Sequence, residues 1–285
     1  MKKFLISFLV LILSCKPAST NFIVYLNKVN EIDSIYRMKN DTLKAQKLYS
    51  KLFKNYTPHQ VELIDEYETY IKLSDKYNKN FGGKKSLYRL IPLVAPNWKY
   101  KKQDAEFLNL YKKYGIDSLI ITQKIGEWNK NLDQKLVDSF AVALVSDQEK
   151  HRSDDALNKK NDRKNGNLLK WTFENYGYPS LQKIGLWGNQ GNFINIHPLI
   201  IHMAGEKNFE YFKTKILDYV KIGDCPPINY ASMIDKYCLI NNLETEYGTF
   251  DGVPIKDSSK IDANRRLIGM PSLKHLKKIR TDYFK

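Results

Sequence analysis

Apolar residues recur along most of the chain at the three- and four-residue spacing of an amphipathic helix. Between Asp41 and Phe53 they fall at positions i, i+3, i+4 and i+7, and Asp41 stands where an N-cap would. Further stretches of this kind start at Thr57-Pro58 and cover residues 87–94 and 103–114. The first half of the chain is therefore predicted to be a set of helices.

The pattern continues in the second half, where polar or charged segments separate the helices. Predicted helices cover residues 133–151, 167–176, 209–220 and 227–238. A charged loop at 150–164 and a polar glycine loop at 188–195 interrupt them. Strand signals are few, and the best candidate, residues 249–255, predicts only a small hairpin or loop. The fold class is therefore mainly α.

The pattern divides into a helical N-terminal domain at 41–130 and a C-terminal domain at 131–285. The N-terminal helix pairs resemble tetratricopeptide-type hairpins. However, no repeat recurs at a fixed period near 34 residues. A non-repeating helical domain that packs on the C-terminal part is the alternative.

The first 14 residues have the features of a lipoprotein signal peptide. Two lysines precede an apolar run at 4–13, which as a helix is only about 15 Å long and too short to span a bilayer. Ser14-Cys15 resembles the end of a bacterial lipobox, which predicts cleavage before Cys15 and acylation of its thiol. Acyl chains would anchor the protein to a lipid bilayer, and residues 15–40 would form a tether.

The residues after Cys15 and the other cysteines bear on the compartment. Lys16 is not followed by an acidic cluster of the kind that directs Bacteroides-type lipoproteins to the cell surface, so we expect the protein to face the periplasm. Cys225 and Cys238 fall near the two ends of one predicted helix, so their α-carbons would be too far apart for a disulfide.

The charge of the chain indicates many solvated lysines. Its 46 basic and 31 acidic residues give a formal net charge of +15. Only seven of the basic residues are arginine, the side chain best suited to bidentate contacts with phosphates and bases. We therefore expect no nucleic-acid partner. The other partners that we expect are the bilayer and an envelope protein or a polar ligand.

Several short motifs in the second half resemble those of a bacterial family of unknown function. They are Asp147-Gln148, Tyr-Gly-Tyr-Pro-Ser at 176–180, His202, Asp235, Tyr-Gly-Thr at 247–249 and the segment 261–273. Family members show Asp-Gln-x-x-Arg, Gly-Trp-Pro-Thr, Gln-His-Ala-Asp, Asp-Arg, Tyr-Gly-Thr-Gln and Asp-x-x-Arg-x-x-x-Gly-Leu in this order. The resemblance implies a mainly helical domain over about 135–280 and no known activity.

This chain departs from the family motifs at several positions. The first-motif arginine falls on His151, with Arg152 one step later. Other family residues are replaced by Tyr178, Gly205, Lys236 and Phe250. These replacements put any activity shared with the family in doubt.

The candidate catalytic residues are Asp147, His151 and His202. Asp147 and His151 are four residues apart and would share one helix face, where a carboxylate that orients an imidazole supports acid–base chemistry. An exposed ion pair at a helix end is the alternative. His202 lies in an apolar segment and is either a base or a core residue. His197 and His202 do not share a helix face, and no ligand or cofactor motif accompanies them, so we expect neither a metal nor a cofactor.

The candidate binding residues are Asp235, Tyr247, Thr249 and Arg265. Gly248 suits a positive φ, which would make 247–249 a rigid loop laid against the helices of His202 and Asp235, within reach of Arg265. His202, Asp235, Tyr247 and Arg265 would border a cleft. In the alternative interpretation the loop is purely structural and Tyr247 fills the core.

Two functions follow from these residues. The first is a ligand- or protein-binding module in the cell envelope that uses the cleft. The second is an envelope hydrolase in which His202, or the pair Asp147 and His151, acts as acid and base.

Overall fold

The computed structural model describes residues 21–59, 64–189 and 191–283, and of His151 only the backbone. As predicted, the fold is mainly α. The helices are α1 Phe22–Lys39, α2 Thr42–Asn55, α3 Glu66–Lys76, α4 Lys84–Val94, α5 Trp98–Lys101, α6 Ala105–Lys113, α7 Ser118–Lys130, α8 Gln134–Asp147, α9 Asp155–Asn175, α10 Leu181–Ile184, α11 His197–His202, α12 Phe209–Ile222, α13 Pro227–Ile240, α14 Ser258–Leu267 and α15 Leu273–Tyr283. No helix in these ranges is both long and apolar enough to cross a membrane.

The buried apolar residues form two clusters. The N-terminal cluster holds those between Tyr25 and Ile125, together with Ile279 of α15. The C-terminal cluster holds those between Leu136 and Met270. The domain boundary expected at residue 131 falls between these two sets, but the last helix packs with the first one.

Helix α1 corrects the expectation of a tether at 15–40. Its N-cap Asn21 accepts a hydrogen bond from the backbone of Ile23, and the helix buries an apolar face in the N-terminal cluster. Ile23 packs on the C-terminal cluster. From residue 22 onward the chain is therefore part of the folded body. The predicted signal peptide and the acylation site Cys15 lie outside the described residues.

A buried ion network joins α1 to the C-terminal segment. The Asp33 carboxylate is fully buried; it accepts hydrogen bonds from Arg37 Nε at 3.0 and 2.9 Å and lies 2.8 Å from Nε2 of the buried His275. Nearby, the Asn30 amide donates to the carbonyl of Gly269 at 2.9 Å. Gly269 has a φ of +83°, and a Cβ there would lie 2.8 Å from Leu26, so a larger residue would separate the two segments.

Helix α8 and the segment after it differ from the prediction. The helix ends at Asp147 instead of continuing to His151, and a 3-10 turn follows at Glu149–Arg152. Lys150 and Arg152 have positive φ values of 50° and 57°, which breaks the α-helical path. The segment predicted to be a charged loop is instead largely the first half of α9, which begins after the N-cap Asp154.

The loop regions contain little strand pairing. Residues 249–255 are turns and bends, so the hairpin alternative does not hold and the loop alternative does. Within the described ranges, an isolated bridge joins Trp187 and Phe193 at the two sides of the polar glycine loop. Cys225 and Cys238 are both buried; Cys225 lies just before α13 and Cys238 in its last turn.

We predict that Asp33→Asn lowers the free energy of unfolding by about 3 kcal/mol, because Arg37 and His275 lose a buried charge partner. Urea denaturation would measure the change. Glu244→Gln is the control, since its ion pair with Lys256 is exposed to solvent, and its urea midpoint should not change. An Asp33→Asn protein with the wild-type midpoint would show that the network does not hold α1 and α15 together.

Candidate functional site

The structure brings two of the three predicted catalytic residues together. Nδ1 of His202 lies 2.8 Å from Oδ1 of Asp147 and 3.5 Å from Oδ1 of Asp162. Arg152 donates through Nη1 to Asp147 Oδ1 at 2.9 Å and to Asp162 Oδ1 at 3.1 Å, and through Nη2 to Asp162 Oδ2 at 2.9 Å. We call these four residues the Asp147 cluster.

Four segments of backbone position the cluster. Asp147 is the last residue of α8, Arg152 ends the 3-10 turn, Asp162 lies on α9, and His202 ends α11. Two amides fasten the segments to one another. Asn161 donates to the carbonyl of Ser146 at 2.6 Å, and Asn158 donates to the carbonyl of Arg152 at 2.8 Å. The geometry of the cluster is therefore supported by hydrogen bonds around it.

The cluster combines a buried acid with partly exposed partners. The Asp147 side chain is 0 % exposed, whereas those of Asp162, His202 and Arg152 are 16, 18 and 23 % exposed. Burial alone would raise the pKa of Asp147. Hydrogen bonds and charge from His202, then Gln148 and Arg152, outweigh burial and hold that pKa below its ordinary value. Asp147 is therefore an anion at neutral pH.

An ionised Asp147 fixes the tautomer of His202. A carboxylate only accepts hydrogen bonds, so the contact places a hydrogen on Nδ1 of His202. No described residue bonds to Nε2 of this ring. In the neutral imidazole, Nε2 is then an acceptor, and the ring is partly exposed. A buried acid that orients a histidine in this way is the arrangement of a general base.

The cluster also has a spacing that suits a metal ion, which the sequence did not lead us to expect. Ligand atoms of Asp147, Asp162 and His202 lie within 4.8 Å of one another. Arg152, however, donates to both carboxylates. The Arg152 guanidinium therefore already neutralises part of their charge, and the acid–base chemistry proposed below uses no metal.

The members of the cluster differ in how far the sequence predicted them. The side chain of His151 lies outside the described part of the structure, and α8 ends before that residue. The prediction that His151 shares a helix face with Asp147 is therefore wrong. The sequence does not single out Asp162, because the charged residues around it predict a solvated loop. It marks Arg152 only as an arginine one position beyond the motif.

The predicted binding residues form a second and separate group around Asp235. The Asp235 carboxylate is fully buried and accepts four hydrogen bonds, each 2.8 Å long, from the backbone of Glu246 and Tyr247 and from the backbone and hydroxyl of Thr249. Asp235 therefore fixes the turn that contains Tyr247 and Thr249.

Arg265 completes this group, which we call the Asp235 network. Its Nη1 donates to the carbonyl of Tyr247 at 2.8 Å and its Nε to the carbonyl of Pro271. The side chain is fully buried, and burial lowers the pKa of Arg265 to about 10, so it is still charged at pH 7. Arg265 therefore ties the turn to the segment after α14.

The expectation of a cleft bordered by His202, Asp235, Tyr247 and Arg265 is corrected by this burial. Tyr247 is 7 % exposed and belongs to the C-terminal cluster. All four acceptor positions of Asp235 are used within the protein, so none is left for a ligand. The alternative interpretation is therefore the one that fits: the loop is structural, and Tyr247 lies in the core. His202 belongs to the other site.

Gly248 explains why this turn has its sequence. Its φ is +60°, and a Cβ there would lie 3.0 Å from Ile255 and 3.4 Å from Ile261. A side chain would be strained by the backbone conformation and would press on both residues. The Tyr-Gly-Thr motif is thus required by the fold.

A charged cavity of about 730 Å³ lies in the N-terminal half. Two of its lysines are paired with its acids: Lys101 contacts Glu68 at 2.6 Å and Asp104 at 2.8 Å, and Lys113 contacts Asp75 at 2.7 Å. These ion pairs connect α3 with the segment from α5 to α6.

Comparison of this chain with known protein families, with curated proteins and with solved structures gives no match.

We predict that Asp235→Ala lowers the free energy of unfolding by about 3 to 5 kcal/mol, because four donors lose their acceptor and buried Arg265 loses a nearby anion. Thr249→Val keeps the shape and the backbone donor, so it should cost only about 1 kcal/mol. Urea denaturation would rank the two variants. A ranking in which Thr249→Val is the more damaging would contradict the assignment of Asp235 as the anchor.

We predict that Asp147 stabilises the protein above pH 3.8 and not in strong acid. Its pKa is lowered in the folded protein from an ordinary value of 3.8. Folding therefore favours the ionised form, and this stabilisation is lost as the pH falls through the folded-state pKa. Relative to wild type, Asp147→Asn should be less stable at pH 6, and the difference should shrink below pH 3.8.

Thermal melts of both proteins across this pH range would test the sign. Asp138→Asn is a matched control, because Asp138 lies on the exposed side of the same helix. A difference between wild type and Asp147→Asn that grows in acid would contradict the lowered pKa.

Proposed function

We propose that this protein is a lipid-anchored protein of the bacterial cell envelope that carries an acid–base site at His202. Cys15 holds the acyl chains, the folded body faces the periplasm, and α1 begins only seven residues beyond the anchor. The lipobox-like end of the signal peptide supports the anchor, and the motif resemblance supports placing the site in the C-terminal half.

The observation that carries the proposal is the 2.8 Å contact between Nδ1 of His202 and the buried carboxylate of Asp147. Asp147 orients the ring, and Nε2 is left to act on a substrate. In a hydrolysis, Nε2 would take a proton from a water molecule as its oxygen attacks, and would then give that proton to the leaving group. Arg152 holds both carboxylates in place and so acts as a positioning residue.

The geometry supports hydrolysis over the binding function that uses the Asp235 network. The residues expected to border the binding cleft are sealed within the fold, whereas the His202 ring reaches the surface. The pair expected for catalysis changes by one member, since His202 replaces His151 as the partner of Asp147. The proposed acid–base chemistry therefore still uses an aspartate and a histidine.

We predict that His202→Gln folds normally and loses at least about 100-fold in rate, the lower end of what general acid–base catalysis contributes. The assay is release of p-nitrophenol from ester, phosphate and glycoside substrates by the mature protein. Asp147→Asn should also lose rate, because the ring loses its orienting anion.

His59→Gln is the matched control, because His59 is an exposed histidine far from α11 in the sequence, and it should keep the wild-type rate. Equal rates in wild type and a folded His202→Gln would reject the role of this histidine. A wild-type protein that hydrolyses none of the substrates would reject hydrolysis of these bond classes.

A further inference from the structure

Three of the four tryptophans of the chain line one cavity of about 440 Å³, a volume typical of ligand sites. Trp98, Trp128 and Trp187 are each partly exposed, so they neither fill the core nor stand free in solvent. Two further aromatic side chains, Tyr100 and Phe193, lie beside Trp187 and are 62 % and 53 % exposed. We call this site the tryptophan cavity.

The polar glycine loop holds Trp187 in place. The backbone of Gly188 donates to the carbonyl of Asn192, and that of Ile194 donates to the carbonyl of Leu186, both at 2.8 Å. This tight turn brings the Trp187 and Phe193 rings together, with their centroids 5.2 Å apart and their planes tilted by 52°. Gly188 is buried, and a Cβ there would lie 3.3 Å from Ile194. The loop that the sequence left without a role thus presents an aromatic ring.

Two helices before the domain boundary at residue 131 supply the other aromatic walls. Trp98 comes from α5 and Trp128 from α7. A residue outside the cavity holds the Trp128 ring in place, because Nε1 of Trp128 donates to Oε1 of Gln182 at 2.8 Å. The base is apolar, with Ile125, Leu132 and Val137. The cavity therefore has fixed aromatic walls and an apolar floor.

The polar groups of the cavity are amides and lysines. Asn129, Gln134 and Asn189 are exposed and offer both donors and acceptors, and Lys99 and Lys102 add positive charge. No carboxylate is among the lining residues. The ammonium of Lys99 lies 3.9 Å from the centre of the Trp187 ring. Beside the lining, the Asp138 carboxylate accepts a hydrogen bond from Asn189 Nδ2 at 3.1 Å. The charged residues of the lining itself are lysines, so the lining favours a neutral or acidic ligand over a cationic one.

We propose that the tryptophan cavity binds an oligosaccharide. A pyranose ring presents an apolar face of C–H groups, which stacks on an indole, and a rim of hydroxyls, which both donate and accept hydrogen bonds. Aromatic walls beside three amides provide both features. A purely apolar ligand would make no use of the donors and acceptors of these amides. The methyl group of an acetamido sugar would fit against the apolar floor.

This site is separate from the Asp147 cluster. Both border α8, but Val137 and Asp147 are ten residues apart, or about 15 Å along a helix. Saccharide binding therefore does not depend on the acid–base proposal, and either can fail alone.

The test uses the mature protein labelled with 5-fluorotryptophan, which gives one fluorine NMR signal for each tryptophan. The probes are chitotetraose and cellotetraose at millimolar concentration. We expect the signals of Trp98, Trp128 and Trp187 to move on titration, while that of Trp171 stays fixed, because Trp171 lies on α9 against Tyr176 and outside the cavity. A response to chitotetraose alone would assign the acetamido group as a requirement.

Variants give a second measurement. Trp128→Ala and the exposed Asn189→Ala should each raise the dissociation constant at least tenfold, whereas Trp171→Ala should leave it unchanged. Because Asn189 is exposed, Asn189→Ala tests the proposal even if Trp128→Ala disturbs folding. The proposal is overturned if neither saccharide moves a cavity signal, if Trp171 responds as strongly as the others, or if Asn189→Ala binds like wild type.

Discussion

The buried carboxylate of Asp33 is the interaction on which the arrangement of the whole chain depends. It joins Arg37 on its own helix to His275, 242 residues further along the chain. Helix α1 lies between the two hydrophobic clusters and contacts α2, α12 and α15. Because desolvating a carboxylate is costly unless it is paired, α1 and α15 must adopt the one relative position that supplies the partners. The two halves are thereby held in a fixed relation.

Three buried carboxylates in this protein show how the surroundings decide between structure and chemistry. The histidine that contacts Asp33 is only 4 % exposed, and all four acceptor positions of Asp235 serve the fold. Asp147 is buried as deeply, but its partner His202 is 18 % exposed and keeps one ring nitrogen free of described contacts. A buried anion next to an accessible histidine is what a proton-transfer site requires. The same pairing sealed in the core, as in His275, can only be structural.

Sequence periodicity predicted the helices well where one face is apolar and the other polar, as in α2 and α12. It failed for α1 because Asn30 and Asp33 face inward, so the polar residues no longer mark the solvent side. It failed again for the first half of α9, where Asp162 stands in a run of charges that also suits a solvated loop. The turn at 247–249 was predictable from Gly248, whereas its burial depends on Arg265, whose partners lie far along the chain.

The position of Arg152 shows why a side-chain contact cannot be inferred from residue spacing alone. On a continuous helix, the residue four positions after Asp147 would be His151. Here α8 stops at Asp147, and a 3-10 turn with positive φ at Lys150 and Arg152 winds the chain differently from an α-helix. The residue that reaches back to Asp147 is consequently the fifth, not the fourth. The backbone conformation therefore determines which side chain contacts Asp147.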